Sequence, residues 1–427
     1  MKILYIVPYA PNLIRVRPYQ LIRALLRRGH QVTLATLWTS AQDQADLQQL
    51  AAAGVSVLAQ PQPLWRSLMN SLQALPTAVP LQAVYSWQPA LARALVAAIQ
   101  HEKFDVVHVE HLRGVRYGLH LKAWSAAQPL RLPLVWDSVD CISHLFAQAA
   151  ARSRSRKGRL MTQLELKRTR AYEGWLVQQF NHVLVTSAAD QQAMAALVLP
   201  ESPAAAALDG HFTAGQTLSV LPNGVDLDYF SPNGAPRAHT TLVFSGKMSY
   251  HANITAALHL VEEIMPLVWA QQPDVQLYLV GKDPVPEIRA LAEQCGGNAG
   301  RPRVVVTGTV DDIRPYLHKA TLAVAPLPYG AGIQNKVLEA MACGLPVVAT
   351  PQATAALAIQ AGREAIVAED VPTFAQAILS LLATPTRRHE LGCSGRLYVE
   401  RHHSWVAMAA QLEAIYGTAR NDTEAVR

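Results

Sequence analysis

The densest group of chemically capable residues is Pro328-Tyr329-Gly330-Ala331-Gly332-Ile333-Gln334-Asn335-Lys336-Val337-Leu338-Glu339-Ala340-Met341. Glycines let a backbone approach a ligand closely, and Asn335 is placed to cap a helix running to about Cys343. A helix N-terminus after a glycine turn offers unsatisfied N–H groups to an anion such as a diphosphate. Glu339, about one turn in, can accept paired hydrogen bonds from vicinal ribose hydroxyls, though it also fits a helix entry favoured by the macrodipole. A second group is Gly246-Lys247-Met248-Ser249-Tyr250-His251-Ala252-Asn253. Lys247, just past a strand end, can neutralise charge on a phosphate leaving group or can simply be solvated. A third group, Asp137, Asp140 and Ser143, follows another strand. Carboxylates there can orient or deprotonate a hydroxyl, or cap the next helix. Arg15 and Arg17 follow the first strand, where isolated arginines are commonly surface residues.

Other chemistries lack their signals. The first strand runs into Pro8-Tyr9-Ala10-Pro11-Asn12 rather than G-x-G-x-x-G, which disfavours a dinucleotide-dependent dehydrogenase. The chain has no Walker A sequence, no H-E-x-x-H and no G-x-S-x-G elbow. Asp226-Leu227-Asp228 spells a D-x-D triplet but sits in a turn, where aspartates cap backbone N–H groups, so no metal site is expected. Cys141, Cys295, Cys343 and Cys393 are scattered, with neither zinc nor disulfide spacing.

The elements that must position these residues follow an alternating rhythm of short β-branched runs and Ala/Leu-rich stretches, the pattern of parallel βαβ units. Candidate strands are Ile3–Val7, Gln31–Leu37, Val55–Gln60, Val106–Glu110, Leu132–Val139 and His182–Ser187, then Thr241–Gly246, Val275–Gly281, Val304–Val310, Leu322–Leu327, Pro346–Pro351 and Ala365–Glu369. Pro200 to Gln216 reads as a surface loop, and Leu221-Pro222-Asn223-Gly224-Val225-Asp226 as the turn into a second domain. The fold class is α/β, with two doubly wound, Rossmann-like domains facing a cleft and ligands at the carboxyl ends of strands. The expected division is 1–218, 219–402 and a terminal helix over 403–427.

In this order and spacing, the motifs resemble those of the retaining glycosyltransferases of family 4, which have the GT-B fold. The likeness covers most of the chain. It is carried by Leu221 to Asp226 with Phe230 and Pro232; Phe244 to Met248; Gly308-Thr309-Val310-Asp311-Asp312; and Gly330 to Thr350. The wording is most similar to sugar transferases associated with bacterial exopolysaccharide and PEP-CTERM systems, which share an element like Asp137, Asp140 and Ser143. The resemblance implies transfer of a sugar from a nucleotide-diphosphate donor to a hydroxyl, with retention and without metal or other cofactor. Carried over, Glu339 binds the donor ribose and Gly332 and Ile333 offer amides to the diphosphate. Gly246 and Lys247 meet its charge, and Val310 lies against the base. Lys247, Asp140 and Glu339 are the catalytic candidates, with Arg17, Asp137 and Asp140 toward the acceptor and cleft.

Three departures stand out. The first of the family's two motif glutamates is replaced by Ala331. The position matched to a first-domain histidine is Val139, beside Asp140. The second basic residue, about six positions after Lys247, falls on Asn253, and Arg17 is the expected substitute. The terminal stretch His403-Ser404-Trp405 to Tyr416 fits the family helix that returns to the first domain, and fits any amphipathic helix equally well.

The chain has 427 residues, half of them apolar, with 37 Lys and Arg against 31 Asp and Glu. That excludes a disordered or fibrous chain, and the modest excess of cations does not require nucleic acid. No apolar run is long enough to span a bilayer, so a cytoplasmic protein is expected. The one-sided stretch from Arg152 to Arg170 suits an anionic membrane or a lipid-diphosphate acceptor, and equally a solvated helix. The leading expectation is a hexosyltransferase type of enzyme in exopolysaccharide or glycoconjugate assembly, with a glycan or lipid-linked acceptor. The alternatives are a nucleotide-sugar epimerase of the same fold and a non-catalytic degenerate transferase acting as a binding subunit.

Overall fold

The computed structural model describes residues 1–128, 130–152, 156–198, 217–298, 301–329 and 333–425. The chain divides into two compact units, Met1–Pro222 with Trp405–Arg427, and Asn223–Ser404.

The first unit is built on β1 (Lys2–Val7), β2 (Gln31–Trp38), β3 (Ser56–Pro61), β4 (Val106–Glu110), β5 (Leu134–Val139), β6 (His182–Val185) and β7 (Thr217–Val220). They form one parallel sheet in the order β3-β2-β1-β4-β5-β6-β7. β4 and β6 are buried at every residue, as strands covered on both faces must be. On one face the helix Val16–Arg27 packs Leu21, Ile22 and Leu25 with Trp405, Met408, Leu412 and Tyr416 of the helix Trp405–Ala425. On the other, Pro89–His101 and Val115–Ala126 bring in Leu91, Leu95 and Leu121. The terminal helix is also pinned through polar groups: the Tyr416 hydroxyl lies 2.9 Å from His108 Nδ1. β7 was not legible in the sequence, because its four residues include Thr217 and Ser219 and show no apolar run. The stretch Pro200–Gln216, expected as a loop, falls outside the described residues.

The second unit carries β8 (Thr241–Ser245), β9 (Gln276–Val280), the small antiparallel pair β10 (Gly297–Asn298) and β11 (Arg301–Pro302), then β12 (Val304–Gly308), β13 (Leu322–Ala325), β14 (Val347–Ala349) and β15 (Ile366–Val367). The large sheet is parallel, in the order β12-β9-β8-β13-β14-β15. The ladders stop short of the expected strand ends. Gly246, Gly281 and Gly308, at φ of 150°, 150° and 68°, turn the chain out of the sheet and into the loops that matter for function. Asp226 behaves as a turn residue, its Oδ1 accepting from the N–H groups of Asp228 and Tyr229 at 3.2 and 3.0 Å.

Two guanidinium groups gather backbone carbonyls, most of them left open at helix ends. Arg237 donates to the carbonyls of Leu317, Ala320 and Cys343 at 2.7, 3.3 and 2.6 Å. Arg396 donates to those of Phe230 and Ala342 at 2.8 and 2.6 Å. Replacing Arg237 by Met keeps most of its volume and removes every one of its bonds. Arg237→Met is therefore expected to destabilise the second unit by about 2 kcal/mol, read as a lower urea midpoint for that unit. An unchanged midpoint would show that water replaces the guanidinium at no cost.

Candidate functional site

In an open parallel sheet, the place where strand order reverses leaves a crevice at the carboxyl ends. In the second unit that place lies between β8 and β13. The loop after β8 enters the helix His251–His259, and the loop after β13 enters Asn335–Ala342. Neither helix start, at Tyr250 or Gln334, has a side-chain cap bond, and N–H groups at such a start can meet an anion. Asn335, expected as the cap, is instead the first helical residue, and its Oδ1 accepts from Asn223 Nδ2 at 3.5 Å. The two loops are clasped together. Tyr329 stacks on His251 with ring centroids 5.4 Å apart, and its hydroxyl is 2.9 Å from His251 Nδ1.

Backbone geometry at the crevice leaves no slack. A Cβ on Gly281 would lie 1.8 Å from the Gly246 carbonyl oxygen, so the turns after β8 and β9 touch only because Gly281 has no side chain. The Gly246 N–H donates to Val280 O at 3.0 Å and Met248 N–H to Lys282 O at 2.9 Å. Lys247, about half exposed, faces Asp283 at 3.9 Å, a loose surface pair that a stronger anion can displace. Its carbonyl accepts from Asn253 Nδ2 at 2.9 Å, and Asn253 Oδ1 in turn accepts from Lys336 Nζ at 2.7 Å. Lys336 is a site residue that the sequence reading passed over. Asn253, expected to mark a missing cation, is the group that holds one in place from the opposite loop. Burial pushes the Lys336 ammonium down to about 8, against the pull of Glu339.

Glu339 lies one turn beyond Lys336 on the same helix, and among the described residues its carboxylate has no hydrogen-bond or ion-pair partner. Burial raises it to about 7, opposed by Lys336. An unpartnered carboxylate held against desolvation is poised to accept from a ligand's hydroxyls. Val310 follows β12 and packs half-buried on the unit's core, while the Ile333 side chain is part of that core. Gly330, Ala331 and Gly332 fall outside the described residues.

In the first unit the strand order reverses between β1 and β4, and the structure corrects two expectations there. Arg17 and Asp137 are tied to each other: Arg17 Nε and Nη2 reach Asp137 Oδ2 at 2.9 and 2.8 Å, with both side chains buried. Arg17 thus neutralises Asp137 instead of supplying a free cation, and Asp137 is no acceptor base. Ser143 is likewise structural. Its N–H, with that of Ile142, donates to the buried Glu173 carboxylate at 3.0 and 2.8 Å, which closes that helix start. Asp140 remains available. It is half-buried, accepts from Thr186 Oγ1 at 3.3 Å, and is raised to about 7 by burial and then by Asp190, near the value a general acid or base needs.

Two further groups at this end, Glu110 and His111, were not singled out from sequence. Glu110, at the end of β4, accepts from the Tyr9 and Tyr5 hydroxyls at 2.9 and 3.2 Å. Burial, and then the Asp137 charge, push it up to about 8. His111, next in the chain, has φ of 63°, and Val139 at the end of β5 has φ of 69°. Such non-glycine residues are strained and cluster at functional ends of folds. His111 Nδ1 accepts from Arg113 N–H at 3.2 Å, which places its proton on Nε2, and burial lowers it to about 3, so the ring is a neutral donor. Val139 itself is no histidine, and the neutral His111 stands at the end of the neighbouring strand. The D-V-V-H-V-E-H run of 105–111 was its signal, read only as a strand.

Comparison with known proteins places these two units. Residues 14–206 match the glycosyl transferase 4-like domain, and residues 239–384 match the glycosyl transferases group 1 family. Over 222 residues the chain is 29% identical to a GDP-mannose-dependent monoacylated alpha-(1-6)-phosphatidylinositol monomannoside mannosyltransferase of Corynebacterium glutamicum, covering 48% of this chain and 57% of that protein. The chain thus spans little more than half the length of that curated relative. Among solved structures, sucrose-phosphate synthase from Thermosynechococcus elongatus superposes with a TM-score of 0.66 at 20% identity, covering 97% of this chain and 98% of that one. Anabaena HepE, solved with UDP and glucose, gives a TM-score of 0.63 at 17% identity, covering 98% and 100%. At such identities these structures speak for the fold alone, which is GT-B, while the two domain matches identify the units: the first carries a glycosyl transferase 4-like domain and the second a domain of the glycosyl transferases group 1.

Proposed function

We propose that the chain transfers a glycosyl group from a nucleoside-diphosphate sugar to a hydroxyl acceptor, with retention at the anomeric carbon, in glycoconjugate or exopolysaccharide assembly. The observation that carries this reading is the crevice between β8 and β13, where a half-buried Glu339 without a partner among the described residues, a half-buried Lys336, an exposed Lys247 and two helix starts converge. A nucleoside diphosphate has the complementary parts. Its ribose hydroxyls donate to Glu339, and its phosphates lie at the helix N-termini, where Lys247 and Lys336 meet the charge that grows as the glycosidic bond breaks. Lys336 takes the place of the cation missing at Asn253. In the first unit, Asp140 and neutral His111 are the groups assigned to the acceptor hydroxyl. Retention rests on the family resemblance. The reading assigns the diphosphate to the chain's own cations and to no metal ion, so a chelator is expected to leave nucleotide binding unchanged in calorimetry.

Thermal-shift measurement against UDP, GDP, ADP and dTDP with their common sugars tests the reading. One nucleotide family, at about 100 times its dissociation constant, should stabilise the protein by about 2.7 kcal/mol, and Glu339→Ala should abolish the response. Silence across the panel from folded protein would contradict the reading and favour a degenerate binding subunit.

The pH dependence has a definite sign. Glu339 accepts from both ribose hydroxyls only when ionised, and with its carboxyl near 7 the ionised share rises from roughly a tenth at pH 6 to roughly nine tenths at pH 8. Binding of a nucleotide sugar, whose diphosphate diester does not titrate in this window, therefore tightens about tenfold over that range. Loss of the Lys336 charge, about half complete at pH 8, offsets up to about twofold of that gain and limits it further above pH 8. Calorimetry on Glu339→Gln should show no tightening from pH 6 to 8, only the decline that follows loss of the Lys336 charge; a variant whose affinity rises as steeply as the wild type would remove Glu339 from the site.

A further inference from the structure

The helix Leu64–Ala74 is amphipathic in the inverted sense. Its inward positions are Ser67, Asn70 and Ala74. The polar two are bonded into the first unit: Gln62 Nε2 donates to Ser67 Oγ at 3.0 Å, and Asn70 Nδ2 donates to Trp87 O at 2.8 Å. The opposite face carries Leu64, Trp65, Leu68, Met69 and Leu72, continued by Leu75, with exposures from 46% to 73%. At about 100° per residue these six span an arc of roughly 140°, and the inward three lie across the helix from it. A contiguous apolar stripe held outward by bonds on its polar side marks an interaction surface.

The surroundings select the partner. Residues 47 to 101 contain no Asp or Glu. The unit bearing the helix has 23 Lys and Arg against 15 Asp and Glu, whereas the other has 14 against 16. The Arg66 guanidinium lies 4.6 Å from the Trp65 ring centroid. Arg168 Nη2 donates to Leu75 O at 2.6 Å, which joins the end of the stripe to the basic stretch Arg152–Arg170. Glu165, the acid at that junction, is occupied by Arg168 and by the Leu81 N–H. Arg154 falls outside the described residues, as do the side chains of Arg152, Arg156, Lys157 and Arg159. Among the described residues no helix is long and apolar enough to cross a membrane. A second copy of the chain would bring the same positive charge against this face, whereas an anionic leaflet answers both the charge and the apolar stripe.

We infer that the segment Leu64–Leu75 is a membrane-docking helix that lies in the interface of an anionic bilayer, its apolar stripe among the acyl chains and the neighbouring arginines at the lipid phosphates.

Flotation of the full chain with vesicles of mixed phosphatidylglycerol and phosphatidylcholine, and with phosphatidylcholine alone, tests this. The protein should float with the anionic vesicles, and its tryptophan emission should shift to the blue by a component that Trp65→Phe removes. The double variant Leu68→Glu/Leu72→Glu should lower vesicle partitioning by about tenfold or more, with melting temperature and nucleotide-sugar binding unchanged. Failure of the wild type to float would overturn the inference. Equal flotation of the double variant would also overturn it, by assigning binding to the basic stretch alone. A concentration-dependent dimer that the double variant abolishes, without flotation, would assign the stripe to self-association instead.

Discussion

The candidate site of the second unit depends on a cation drawn partly out of water. Among the described residues the Lys336 ammonium is held by one neutral acceptor, Asn253 Oδ1, above the Phe244 ring at 5.2 Å. Burying such a charge is unfavourable, and the depressed Lys336 and raised Glu339 both record that cost. The arrangement persists because it is built into the backbone. Asn253 grips the Lys247 carbonyl, and Gly246 is packed against Gly281 with no room for a Cβ. Positive charge and an uncommitted carboxylate thus stand ready before a ligand arrives, which spares the reorganisation that a solvated site would need.

The first unit handles its buried charges differently. Glu110 and Asp137 share one cation, Arg17, so two hydroxyls and a backbone N–H, those of Tyr5, Tyr9 and Val139, complete the satisfaction of the carboxylates. His108 stacks on Tyr5 with centroids 4.0 Å apart and is neutral, lowered by burial and then by the Arg17 charge. This polar core sits under strand ends where His111 and Val139 are held at positive φ. A rigid, satisfied underlayer is what keeps such strained residues in place. Asp140, just beyond it, keeps a carboxyl that exchanges its proton near neutrality.

Much of this was legible in the sequence, and the failures have physical causes. Continuous apolar runs such as Val304-Val305-Val306 identify parallel strands, and Gly246, Gly281 and Gly308 mark the loops after β8, β9 and β12. β7 escaped because four residues with two hydroxyls carry no periodic signal. Glu339 and Lys247 were readable because their loops are local motifs. Lys336 was not, since its role depends on Asn253, which lies far away in the chain and reaches it only when β8 and β13 are neighbours. Arg17 and Asp137 were read as site residues from their places after strands, but burial of both converts them into an ion pair. The outward stripe of Leu64–Ala74 was equally hidden: helical spacing shows that one face is apolar, and only the packed structure shows which way that face points.

The central claim is that the crevice between β8 and β13 receives a nucleoside diphosphate, and its most direct test is a crystal structure of the chain with the nucleotide sugar that binds best. The account predicts ribose hydroxyls within hydrogen-bond distance of Glu339, phosphates at the start of the helix Asn335–Ala342, and Lys247 released from Asp283 to meet them. A nucleotide bound elsewhere on the chain, or one whose ribose lies away from Glu339, would contradict it.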